Sequence, residues 1–212
     1  GEPLLYPHIE ELLARIKQTG WFEDISMTTN GSLLAPRAAK LKELGLNRVN
    51  ISLDSLDSDA FALCVGKANQ LDSVLNGIQS AIDAGFTSVK INTVLSRHWT
   101  DDEVHDLLTY VETWPVIWRF IEYMPFQGDA FHGPTFDEWK AQLERVSGGI
   151  LTENHDVYGF GPATYYNLPS GKEIGFIFSM SHSYCDTCNR VRLTSDGQMR
   201  LCLLRDDEAD LV

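Results

Sequence analysis

The chain has no surplus of positive charge, no long apolar run and few cysteines. Acidic side chains outnumber basic ones 30 to 17, giving a formal net charge of -13 over 212 residues. Nucleic-acid binders usually carry a basic face, so no nucleic-acid partner is expected. A small anionic ligand stays compatible with this charge, because a few clustered Lys and Arg can form a local positive pocket. No apolar stretch reaches membrane-spanning length, and no basic-then-apolar leader opens the sequence. The expectation is a cytoplasmic protein without a membrane partner. Internal repeats and low-complexity tracts are also missing. A composition of 43% hydrophobic and 22% charged residues suits one large domain, or a domain with an appendage.

Of the four cysteines, three fall close together, at Cys185, Cys188 and Cys202. With nothing pointing to secretion, a disulfide framework is not expected, and a metal or cluster site is. The C-x-x-C turn can set two sulfurs on one side of a loop, and the hairpin that follows can return Cys202 to close the site. Three thiolates suit an iron–sulfur cluster with one open iron, or zinc with a fourth ligand from His182 or His155. Cys64 lies in the apolar stretch Phe61-Ala62-Leu63-Cys64-Val65 and reads as a small core residue.

The first two thirds of the chain alternate strand-like and helix-like stretches. Ile9, Leu12, Leu13 and Ile16 recur at helical spacing up to Gly20. Helices are also expected over about 35–44, 69–84, 101–113 and from Phe136. Residues 24–31 read as a short strand entering a turn, and further strands are expected over 48–54, 88–95 and 116–123. Such β–α units build a parallel sheet with its ligand site at the carboxyl ends of the strands. Polar clusters stand at those ends: Thr28-Thr29-Asn30-Gly31, Ser52-Leu53-Asp54, Asn92-Thr93 and Glu122-Tyr123-Met124-Pro125. Any one of them could be a helix cap or turn, while four in succession favour a shared site. Beyond about residue 150 the pattern changes to a turn-rich linker at 158–162 and antiparallel strands at 163–168 and 172–179. A hairpin follows, with Ser195-Asp196-Gly197 between 190–194 and 198–203. Within the cysteine loop, Asn189-Arg190-Val191-Arg192 would put two arginines on one strand face, suited to phosphate or a purine edge.

These segments resemble the GTP 3',8-cyclase family of radical S-adenosylmethionine (SAM) enzymes. Gly1-Glu2-Pro3 is similar to the end of the family's G-G-E-P segment. Met27-Thr28-Thr29-Asn30-Gly31, Asn50-Ile51-Ser52-Leu53-Asp54, Lys90-Ile91-Asn92 and Arg119-Phe120-Ile121-Glu122-Tyr123-Met124-Pro125 look like its successive strand ends. Cys185, Cys188 and Cys202 with Asn189-Arg190-Val191-Arg192 resemble its auxiliary-cluster motif, C-x2-C-x13-C with R-x-R inside. The resemblance implies an α/β fold: an incomplete (β/α) radical-SAM (partial TIM) barrel over 1–148. A C-terminal antiparallel β region over 149–212 would carry an auxiliary [4Fe–4S] cluster and bind GTP.

It further implies that Gly1, Ser52 and Met124 contact SAM. Thr28 would lie between the SAM and GTP sites. Lys90, Arg119, Arg190, Val191 and Arg192 would hold GTP, and Cys185, Cys188 and Cys202 would ligate the auxiliary cluster. In the implied reaction a deoxyadenosyl radical takes the 3' hydrogen of GTP and the ribose then closes onto guanine C8, in the first step of molybdenum cofactor biosynthesis. A second [4Fe–4S] cluster on a C-x3-C-x2-C motif is expected only in a longer protein, with a reductant as partner. On this reading the chain is a fragment inactive by itself, and a homodimer is compatible with it. The alternatives are another radical SAM enzyme with an auxiliary cluster, on a peptide or sugar, and a non-catalytic zinc-binding module.

Overall fold

The computed structural model describes residues 1–125, 133–156, 161–202 and 208–210, the last three by backbone alone. The expected linker residues Tyr158, Gly159 and Phe160, and Leu203 at the end of the second hairpin strand, lie outside them. The chain forms two compact units, Gly1–Ser181 and His182–Val212.

The first unit is built on parallel strands β1 (Ser26–Thr29), β2 (Arg48–Ser52), β3 (Ser88–Val94) and β4 (Ile117–Ile121), each flanked by helices. α1 (Ile9–Thr19) precedes β1 and ends where Gly20 turns left-handed at φ 66°, a conformation glycine adopts without Cβ strain. α2 (Ala38–Glu43) joins β1 to β2, and α3 (Ser58–Val65) and α4 (Leu71–Asp83) join β2 to β3. α5 (Asp101–Thr113) and α6 (Phe136–Ser147) start at capping boxes, Thr100 with Glu103 and Thr135 with Glu138. Three further strands follow: β5 (Thr152–Asn154), β6 (Thr164–Asn167) and β7 (Glu173–Ile177).

The sheet order is β1-β2-β3-β4-β7-β6-β5. β7 pairs parallel with β4, and only β6 and β5 run antiparallel to their neighbours. The architecture is an incomplete (β/α) barrel. Residues 149–181, grouped with the C-terminal region when read as sequence, continue the first unit's sheet. Local alternation signals a strand but not its partner, so the β4–β7 pairing is invisible until the chain is folded.

Alternation divides the sheet into two chemically different faces. Val49, Ile51, Val89, Ile91, Trp118, Phe120, Ile174 and Phe176 are buried in one apolar core under the helices. Phe120 meets Trp139 of α6 edge-on, with ring centroids 5.2 Å apart. The opposite face carries Thr28, Asn50, Ser52, Lys90, Asn92 and Arg119.

Cys64 departs from expectation. It lies on α3, which buries only Phe61, and is exposed beside Leu63. A short helix presents one narrow stripe to the core, so an apolar stretch need not be internal throughout.

The second unit has a 3-10 turn at Cys185–Thr187 and a small antiparallel sheet. Its strands are β8 (Arg192–Leu193), β9 (Gln198–Arg200) and β10 (Glu208–Asp210), in the order β10-β9-β8. The hairpin turns at Gly197, with φ 87°, where an Asp-Gly turn was expected.

Candidate functional site

Strand register sets the polar face in levels. Thr28, Asn50 and Lys90 lie side by side on β1, β2 and β3. One level nearer the carboxyl ends, Ser52, Asn92, Arg119, Gly175 and Tyr165 are neighbours across β2, β3, β4, β7 and β6. Towards the amino ends, Arg48 of β2 is ion-paired with Asp24.

Arg119 organises the face. Its Nε donates to Asn92 Oδ1 at 2.9 Å and its NH2 to Asn50 Oδ1 at 2.8 Å. Asn50 Nδ2 donates in turn to Thr28 Oγ1 at 3.2 Å. Lys90 is 1% exposed, and its Nζ donates to Tyr165 Oη at 3.1 Å. The Arg119 guanidinium also interacts electrostatically with the Tyr165 hydroxyl. Burial, followed by the nearby charges of Arg119 and Arg48, lowers the Lys90 pKa to about 8. Burial likewise lowers that of Arg119 and raises that of Tyr165. Among the described residues Arg48, Lys90 and Arg119 gather on this face, with Asp24 ion-paired to Arg48, a set suited to an anion.

The acidic residues at the strand ends are occupied by backbone. Asp54 accepts from Val94 N at 2.8 Å, and burial raises its pKa. Glu122 is buried and accepts from the backbone N–H groups of Met180 and Ser181. For these two the cap-or-turn alternative describes the structure. Glu2 acts similarly: its carboxylate accepts from Thr29 Oγ1 at 2.6 Å and from Asn30 N at 2.7 Å. Gly-Glu-Pro is therefore tied to the carboxyl end of β1. Gly1 is exposed, and Ser52 and Met124 are half-buried.

In the second unit Cys185 and Cys188 are exposed at the 3-10 turn, Cys202 is half-buried, and all are free of disulfides. Hydrogen bonding from Arg190 lowers the Cys188 pKa, biasing it towards the thiolate that soft metals take. The Arg190 guanidinium lies 5.1 Å from the Tyr184 ring centroid. These ties to Cys188 and Tyr184 hold Arg190 outside β8, which begins at Arg192, so the two arginines do not share a strand. Val191 is exposed and Arg192 half-buried. Among the described residues no three His, Cys, Asp or Glu side chains converge as a metal-holding group. The three thiols have the donor chemistry of an iron–sulfur site but are not gathered into one. His155 belongs to the first unit, 3.8 Å from Glu153.

Tyr165 and Gly175 were not singled out in the sequence. Tyr165 sits in an ordinary alternating strand, and Gly175 matters only because β7 lands beside β4. A Cβ on Gly175 would lie 2.9 Å from Arg119 Cγ and 3.0 Å from Tyr165 Cε1.

Comparison with known proteins agrees with this architecture. Residues 1–111 match the Radical SAM superfamily, and residues 116–212 match Molybdenum Cofactor Synthesis C. The chain belongs to the radical SAM superfamily. The chain of Streptococcus suis SuiB, solved bound to S-adenosylmethionine, aligns with a TM-score of 0.68 at 14% identity, over 99% of this chain and 50% of that one. A domain of a pyruvate-formate lyase-activating enzyme from Bacteroides vulgatus aligns with a TM-score of 0.53 at 18% identity, over 70% of this chain and 89% of that one.

Curated relatives are more specific. The GTP 3',8-cyclase of Trichodesmium erythraeum is 44% identical over 97% of this chain and 64% of its own length. That of Moorella thermoacetica is 40% identical over 100% of this chain and 66% of its own. The chain spans just under two thirds of the length of these relatives. Among the described residues no helix is long and apolar enough to cross a membrane.

Proposed function

We propose that the whole protein is a cytoplasmic GTP 3',8-cyclase acting in molybdenum cofactor biosynthesis, and that these 212 residues carry its substrate-binding part. The paired cations Lys90 and Arg119 on the polar face carry the proposal. They supply local positive charge for a triphosphate on a chain of net charge -13. A peptide or sugar substrate gives no reason for such a set. The relatives named GTP 3',8-cyclase support the same substrate.

The proposed roles follow from place and chemistry. Arg119, oriented by Asn50 and Asn92, hydrogen-bonds phosphate oxygens, while Lys90 adds charge from the level below. Thr28 borders the same face through Asn50. Gly1, Ser52 and Met124 contact SAM, with Gly1 placed by the hold of Glu2 on β1. In the second unit Arg190, Val191 and Arg192 are nucleotide contacts. Cys185, Cys188 and Cys202 are the proposed cluster ligands, with Arg190 favouring the thiolate of Cys188. A bound [4Fe–4S] cluster would supply an open iron able to accept a base donor atom, and bound SAM, once reduced, a carbon-centred radical. The chain's own residues bind and orient the nucleotide, and the reductant is an external partner.

The test is turnover by the full-length protein with SAM, GTP and a low-potential reductant. Formation of 3',8-cyclised nucleotide is expected, and its loss in Arg119→Met. Stoichiometric zinc, no visible iron–sulfur absorption and no product would favour the zinc-module alternative.

A further inference from the structure

We propose that Tyr165, seated over Gly175, is a positioning residue that binds Lys90 and Arg119 into one anion cradle. The inference rests on the reading of this face as the phosphate site and adds what sets its geometry. Tyr165, Gly175 and Arg119 are direct neighbours across three strands. A side chain at the middle position would push the outer two apart, since even a Cβ would come within 2.9 Å of Arg119 and 3.0 Å of Tyr165. Glycine there lets the tyrosine ring and the guanidinium stem approach over bare backbone.

The phenol oxygen of Tyr165 then faces both cations. Lys90 Nζ donates to it at 3.1 Å and lies 5.5 Å from the ring centroid. The Arg119 guanidinium, packed against the tyrosine across Gly175, interacts electrostatically with the same hydroxyl. A neutral oxygen shared by two cations fixes their separation without cancelling either charge, as a carboxylate there would. Asn50 and Asn92 hold the far side of the guanidinium with neutral amide oxygens in the same way. Arg119 is therefore oriented by three uncharged groups and keeps its charge for a ligand. Preorganisation of this kind lowers the ordering cost when an anion binds. Tyr165 is itself 8% exposed, so Phe fits its site and removes only the hydroxyl.

The test uses the full-length protein, with inorganic tripolyphosphate and GTP as probes in titration calorimetry. Tyr165→Phe should weaken both by about tenfold, the loss of one charge-assisted hydrogen bond, with SAM affinity unchanged. In Tyr165→Phe/Lys90→Met/Arg119→Met the loss should not exceed that of Lys90→Met/Arg119→Met, because Tyr165 acts through these two cations. Unchanged affinity in Tyr165→Phe, or additive losses, would overturn the proposal. So would a joint fall in Tm and SAM affinity, which marks a merely structural tyrosine. If Lys90→Met and Arg119→Met also bind tripolyphosphate normally, the phosphate-site reading itself fails, an outcome distinct from failure of Tyr165→Phe alone.

Discussion

The two units are held by different physics. In Gly1–Ser181 a continuous apolar core runs from Leu4 to Phe178, with Ile91, Trp118 and Phe120 wholly buried. In His182–Val212 none of the described side chains is buried, and Val191, Leu193 and Leu201 are 61%, 71% and 60% exposed. The first unit has the apolar burial to fix a polar face to within hydrogen-bond distances. The second carries two of its thiols at a 3-10 turn and has strands of only two and three residues, with little apolar burial among its described side chains. In so small a unit metal ligation is an ordinary source of ordering free energy.

The largest effects should mark that contrast. Phe120→Ala should destabilise the first unit by about 3–5 kcal/mol, because it opens a cavity against Trp139 and Phe176, measured by denaturant unfolding. Leu193→Ala in the second unit should change stability by less than about 0.5 kcal/mol. Equal losses would erase the contrast.

Next comes the join between core and site. Gly175→Ala should cost about 1–3 kcal/mol from crowding Arg119 and Tyr165, and should weaken GTP binding in calorimetry. A variant of full stability and full affinity would show that the bare backbone at 175 is not needed.

A smaller effect is set by pH. The Lys90 pKa is about 8 in the fold against its ordinary 10.5. Between these values the unfolded chain holds more protons than the folded one, so this group's contribution to stability rises with pH across that window. Anion binding runs the other way, since it needs the charged amine, and should weaken by up to about tenfold per pH unit above about 8. Thermal melting of the ligand-free protein and GTP titrations across the window read the two slopes, and Lys90→Met should flatten both.

Much of the first unit was legible in sequence because its signals are local. Gly20 stops α1, the acidic first turn from Asp101 marks α5, and the apolar residues Val89 and Ile91 mark β3. Lys90 and Arg119 were named through the family resemblance of their strands, Lys90-Ile91-Asn92 and Arg119 to Pro125. What stayed hidden depends on pairing at long range. Tyr165 reaches Lys90 only because β6 follows β7 onto the sheet beside β4. Asp54 and Glu122 looked like site residues by position, yet Asp54 is taken by one backbone N–H and Glu122 by two, each from another segment. Arg190 read as a strand partner of Arg192 because spacing alone cannot show its hold on Cys188 and Tyr184.

If the polar face presents GTP for chemistry at its ribose, as proposed, the hydrogen removed is the one on C3'. The decisive measurement gives full-length protein SAM, reductant and GTP deuterated at C3'. GTP-dependent 5'-deoxyadenosine that carries the deuterium is expected. Unlabelled 5'-deoxyadenosine, formed at the same rate without GTP, would refute the proposed presentation.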